Sequence, residues 1–99
     1  MKVNTHTLLF DWDAGNSNKN KRSHKVHDWE CEEVFFDRNK VILKDRLHSG
    51  NEDRFILLGK TKNKRLLYLV FTIRREKIRV IPARDIKKRK EIDLYEKAS

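Results

Sequence analysis

With 99 residues, 37% hydrophobic and 39% charged, the chain has room for one modest core, so one domain over residues 1–99 is expected. Its formal net charge of +9 favours a polyanionic partner, of which nucleic acid is the usual one. Its longest apolar run, Leu66 to Phe71, falls far short of the roughly 20 residues that span a bilayer. The opening MKVNTHTLLFDWD has no sustained apolar stretch before a small-residue cleavage site, so no secretory signal is read. A lone Cys31 excludes an internal disulfide and suits a reducing cytoplasm.

In chain order, LLF at residues 8–10 is a candidate edge strand, and WDAGN turns the chain. Asn16 to His24 reads as a short polar helix whose Asn16, Asn20 and His24 share one face at i, i+4, i+8. A second helix is expected from an N-cap at Asp28 to about Phe36. Its early acids suit the positive end of the helix dipole, and Trp29, Val34, Phe35 and Phe36 are its candidate core contacts. Strands follow at KVILKD, at RFILLG up to Gly59, at LLYLVFT and at IRVIPA. The third is apolar on both faces, which places it inside the sheet, and Pro82 requires the fourth to end there or lie at an edge. From Asp85 a basic helix runs toward Lys97. The order β-α-α-β-β-β-β-α, with hairpin-length loops, gives a small α+β fold. Its sheet is expected to be mainly antiparallel, with four to five strands, two helices before it and one after.

Charge is unevenly placed. From Arg74 to Lys90 nine basic residues face only Glu76 and Asp85, whereas DWECEE carries four acids. No glycine-rich phosphate loop occurs, and His6, His24, His27 and His48 lack metal-ligand spacing, so neither cofactor nor metal is expected. What remains is a set of arginines at strand ends: Arg54, Arg65, Arg74, Arg79 and Arg84. Either they converge on one sheet face as forks for phosphate oxygens, or they pair with acids such as Glu52 and Asp53. Beside them the loop DRLHSGNEDRF, Asp45 to Phe55, gathers acids, bases and cations. Metal-free RNA cleavage needs a base, an acid and cations around the phosphorane. His48 or Glu52 is a candidate base, and Arg54, Arg74 and Arg79 are candidate cations.

The ordered set FDWDAGNSNKN, SHKV, ECEEVFFD, HS with E and RF, LVFTIR and IRVIPARD resembles the BrnT family of type II toxin–antitoxin ribonucleases, from about Phe10 to Asp85. The resemblance implies a RelE-like fold and a bacterial cytoplasmic toxin that cleaves RNA and stalls translation. It also implies silencing by a cognate ribbon-helix-helix antitoxin, in a complex of two toxins and two antitoxins that represses its own operon. His48, Ser49, Glu52 and Arg54 fall on its HS..E.R positions, Thr72 and Arg74 on FT.R, and Arg79 and Arg84 on IR…AR. Lys64, Arg65, Thr72, Arg84, Lys87 and Lys88 are then expected along the RNA. The chain departs from the family pattern at Ser23, Lys25, Lys64 and Pro82. It also carries one extra residue before Glu91, expected to rotate the last helix by about 100°. The alternative is a non-catalytic module that binds an antitoxin and acts only in repression.

Overall fold

A computed structural model describes residues 8–47 and 49–98. Four strands form one antiparallel sheet in sequence order: β1 (Val41–Lys44), β2 (Phe55–Lys60), β3 (Leu66–Arg74) and β4 (Lys77–Asp85). As its two-sided apolar pattern requires, β3 lies inside, between β2 and β4. Alternation turns Leu67, Leu69 and Phe71 to one face and Tyr68, Thr72 and Arg74 to the other.

The first face carries the core. It is covered by α1 (Lys19–His24), α2 (Asp28–Glu33) and a 3-10 turn over Val34–Phe36. Val26, Cys31, Val34 and Phe35 pack there on Leu57, Leu67, Leu69 and Phe71. Phe35 meets Phe10 and Phe71 edge-on, with ring centroids 5.2 and 5.1 Å apart. Burial of Cys31, beside Asp28, Glu30 and Glu32, pushes its thiol up to about 12, which makes it a core hydrophobe and a poor nucleophile.

Helix α2 is shorter than its pattern, because Val34 to Phe36 tighten into the 3-10 turn. Trp29 and Phe36, both expected in the core, are instead about half exposed, at 51% and 54%. Seven residues apart, they share the helical face turned away from the buried Cys31, Val34 and Phe35 stripe, and together they line one surface hollow with Glu32, Glu33 and Lys62. Asp28 is the first helical residue rather than the cap. Its carboxylate accepts from the Ser17 hydroxyl and the Asn18 N–H, fastening α1 to α2.

Strand β4 continues through Pro82 to Asp85 because that proline sits in a bulge on an edge strand. Leu69 pairs with Ala83 and Phe71 with Val80, so one residue of β3 faces both Ile81 and Pro82. Asn20 satisfies the backbone on both sides of the proline. Its amide donates to Ile81 O at 3.1 Å, and its Oδ1 accepts from Ala83 N at 2.9 Å. Asn16 donates to Val80 O at 3.1 Å. The stripe expected from Asn16 and Asn20 is therefore a clamp on the β4 edge, whereas His24 stays exposed at the end of α1. LLF, expected as a strand, makes a single parallel bridge, Phe10 to Ile78, on that same edge.

Asp85 closes β4 and does not open a helix. Lys87 and Lys88 lie in a connection, and α3 spans Arg89–Ala98. Glu91 and Tyr95 both face the fold, with Tyr95 Oη donating to Asp37 Oδ2 at 2.7 Å, because the helix begins only after the connecting residues. The β3–β4 turn puts Arg75 and Glu76 at φ 51° and 66°, a left-handed pair that favours Asn-Gly. Lys64, at φ 67°, holds a conformation that suits the glycine the family pattern places there.

Gly59 lies against the turn after α2. A Cβ there would stand 2.9 Å from Val34 Cβ and 3.0 Å from Val34 O. Gly59→Ala should therefore lower unfolding stability by about 1–3 kcal/mol in urea titrations, since backbone must move. Replacing Arg75–Glu76 by Asn-Gly should raise it by about 1 kcal/mol in the same assay.

Candidate nucleic-acid interface and arginine site

Three arginines converge at the hairpin end of the second sheet face. Arg74, at the end of β3, donates through Nε and Nη2 to both oxygens of Glu52, at 2.9 and 2.8 Å. Arg54 and Arg79 also act on that carboxylate through space. Hydrogen bonding from Arg74, chiefly, holds the Glu52 carboxyl below its ordinary range, with all three guanidinium charges adding to it. Glu52, Arg54, Arg74 and Arg79 are thus brought together, as their positions at strand ends suggest.

They are not equivalent. Arg79 is nearly enclosed, at 12% side-chain exposure, and grips both oxygens of Asp13 at 3.0 Å with Asp11 at 3.4 Å. Gly15 packs so closely that a Cβ would come within 2.8 Å of the Arg79 guanidinium. Arg54 is half-buried and makes no ion pair among the described residues. Each sequence alternative is therefore realised in part: Arg54, Arg74 and Arg79 gather on one face, Arg65 does not, and Arg65, Arg74, Arg79 and Arg84 each hold an acid.

The loop presenting Glu52 is closed at its base. Asp45 N donates to Arg54 O at 2.8 Å, and Ser49 Oγ bridges Asp45 O and Arg54 N. Thr72, buried on β3, donates to Asp53 O at 2.7 Å, so its hydroxyl serves the loop. His48, the other candidate base, lies outside the described residues.

The second expected group separates. Arg65 reaches back across the helical side: Nε and Nη2 hold Asp85 at 2.6 and 3.0 Å, and Nη1 holds Glu30 and Lys25 O. Its donors are spent inside the fold, a staple rather than a free cation. Lys64 is exposed at the hairpin beside it, and Lys87 and Lys88 are exposed before α3. Arg84 lies between the two groups, with its guanidinium 4.0 Å over the Tyr68 ring and both nitrogens on Glu91 at 3.1 and 2.7 Å. Glu91, seven residues from Arg84 and on another element, carries no sequence signal for that pairing. Asp11 and Asp13 are equally silent, since nothing local marks them as partners of a residue on β4.

A family model for ribonuclease toxins, BrnT, of type II toxin–antitoxin systems matches residues 12–90, and the chain belongs to that family. It is a toxin-component ribonuclease, with RNA as target and an antitoxin as partner. No curated protein matches the chain. Among the described residues no helix is long and apolar enough to cross a membrane, and no group of three or more His, Cys, Asp or Glu side chains could hold a metal ion.

Arg84 holds the Glu91 carboxyl below its ordinary value of 4.5, and Arg65 holds Asp85 below 3.8. Each folded-state value lies under the unfolded one. The stabilisation is therefore complete above the ordinary carboxylate values and lost as pH falls through the folded-state ones. Unfolding temperature should drop progressively from about pH 5 downward. Glu91→Gln should lower it at pH 7 and flatten that acid limb, as scanning calorimetry across pH would show.

Proposed function

We propose that this chain is a metal-independent endoribonuclease that cleaves at the Glu52–Arg54–Arg74 end of the open sheet face. The observation that carries the reading is the two-point grip of Arg74 on Glu52, with Arg54 lining the same hollow as that carboxylate and Arg79 acting on it through space. Glu52 stands where a phosphate would be most stable, and its bidentate grip by Arg74 is the geometry that arginine offers a phosphate. An incoming RNA phosphate displaces Glu52, taking Arg74 on one side and, on the other, Arg54, which has no ion pair among the described residues. Arg79 adds its charge from behind, already held by Asp13. Charge that builds on the phosphorane oxygens is then met by cations set before the reaction begins.

A carboxylate held below its ordinary range is a weaker base, so Glu52 serves best as the displaced placeholder. We assign the base to His48, whose imidazole ordinarily titrates near neutrality. It takes the 2′-hydroxyl proton, the 2′-oxygen attacks phosphorus as the P–O5′ bond breaks, and the 5′-oxygen leaves with a proton from solvent water, giving a 2′,3′-cyclic phosphate and a 5′-hydroxyl end. Lys87 and Lys88 track phosphates further along, which makes binding fall steeply with salt. The antitoxin in this reading is a ribbon-helix-helix protein whose two-fold symmetry gives two toxins per complex and represses the operon.

A second reading, a non-catalytic module that binds the antitoxin, draws support from the internal pairing of Arg65, Arg74, Arg79 and Arg84. End-labelled RNA in EDTA separates the two. The native chain should cut it and leave cyclic phosphate ends. Arg54→Ala should lose about 10²–10³ in kcat/KM with an unchanged unfolding temperature. Cleavage that vanishes in EDTA would sink the metal-independent mechanism. Silence on both free RNA and translating ribosomes would leave the binding module.

A further inference from the structure

Next to the arginine cluster the open face drops into a cleft of about 400 Å³, lined by Tyr68 and Val70 of β3, by Pro82 and Arg84 of β4, by His24 at the end of α1 and by the buried Asp45 at the base of the loop. Two flat groups define it. The phenol ring of Tyr68 is half-buried, and the Arg84 guanidinium sits 4.0 Å from its centroid. That guanidinium is fixed by three bonds: two to Glu91, itself only 9% exposed on α3, and one to Asp85 O at 3.1 Å. Pro82 and Val70 add apolar surface. Arg54, without an ion pair among the described residues, lines the same cleft and belongs also to the group around Glu52.

A ring with a rigid planar cation laid over it, and two apolar neighbours, fit a flat, uncharged, aromatic ligand stacked on the exposed part of that pair and not between its members. In an RNA-cleaving protein that ligand is a base. Unpaired RNA bases stack on aromatic rings and on arginine planes, and such stacking tolerates any base because each has a π-face. We propose that the Tyr68–Arg84 cleft is a nucleobase-stacking subsite for a nucleotide adjoining the scissile phosphate, with Arg54 holding the phosphate between subsite and cluster. The inference rests on the ribonuclease reading for the phosphate's position. It adds a site that orders the substrate by its base, where the cluster orders it by charge. Pro82 fits this role, since a proline flanking the slot presents apolar ring surface and no N–H that would need a partner.

The test uses the full chain and short RNA strands that are 2′-O-methylated throughout and therefore cannot be cut. One abasic nucleotide is moved along the strand, and 2-aminopurine is placed at each position in a second set. Removal of the base at one position should weaken binding to the native chain about 10- to 100-fold, and 2-aminopurine there should change its emission on binding. Tyr68→Leu should lose the same factor on the intact strand and be indifferent to the abasic nucleotide at that position. The abasic strands test the native protein alone, so the outcome does not depend on the variant's folding. Equal binding of every abasic strand, or an undiminished abasic penalty in Tyr68→Leu, would overturn the subsite. Base-dependent binding by a chain that never cuts cleavable RNA would support the subsite and sink the ribonuclease mechanism. Cutting without any base dependence would do the reverse.

Discussion

The Arg65 guanidinium is the interaction on which the arrangement of elements turns. It starts at the end of the β2–β3 hairpin and bonds to Asp85 on β4, Glu30 on α2, and the carbonyls of His24 and Lys25 where α1 ends. One side chain therefore fixes the corner between the two helices against two strands. It does so in a partly enclosed setting, where charge-assisted bonds are stronger than at the surface. Both acids it holds lie on elements that Asn20 and Asp28 also position, so helices and sheet share one set of polar fasteners beside the apolar core. Removal of the guanidinium would strand the buried Glu30 carboxylate, which is a heavier loss than the bonds alone.

The same chemistry runs the other way at the hairpin end. There the Arg74–Glu52 pair is exposed, and pairs of that kind contribute only about 0–1 kcal/mol to stability. A phosphate carrying full charge can replace the carboxylate at little cost to the fold. Burial thus sorts the arginines: Arg79 is held and nearly enclosed, Arg65 held and partly enclosed, Arg74 held at the surface, and Arg54 is not ion-paired among the described residues. Similar residues at similar strand ends act differently because their surroundings differ.

Much of this was legible in the sequence. Element order, the inner position of β3 and the edge position of β4 followed from apolar patterning and from Pro82, and they hold. Trp29 and Phe36 failed because apolar character was taken for burial, although seven-residue spacing puts the two on one face, opposite the Cys31, Val34 and Phe35 face that meets the sheet. The last helix was misplaced because basic residues suit a connection as well as a helix. That some strand-end arginines must meet followed from the meander, but not which ones, and the pairing of Glu52 with Arg74 was not foreseen. The partners of Arg65, Arg79 and Arg84 were not either, because each lies 7 to 68 residues away in the chain on an element whose packing no local pattern encodes.

The two rims of the sheet are guarded by different means. Beyond β4, asparagine amides and the Leu9–Asp11 backbone occupy the ladder positions. Beyond β1 no strand pairs among the described residues, and that four-residue strand carries exposed Leu43 and Lys44, with Lys40 just before it. Shortness and lysines are the ordinary deterrents to rim-to-rim stacking of chains. A molecule released from its partner would meet others of its kind first along this rim. Protection of that rim therefore rests on its shortness and a few ammonium groups, and neutralising Lys40 and Lys44 would favour pairing of chains along it.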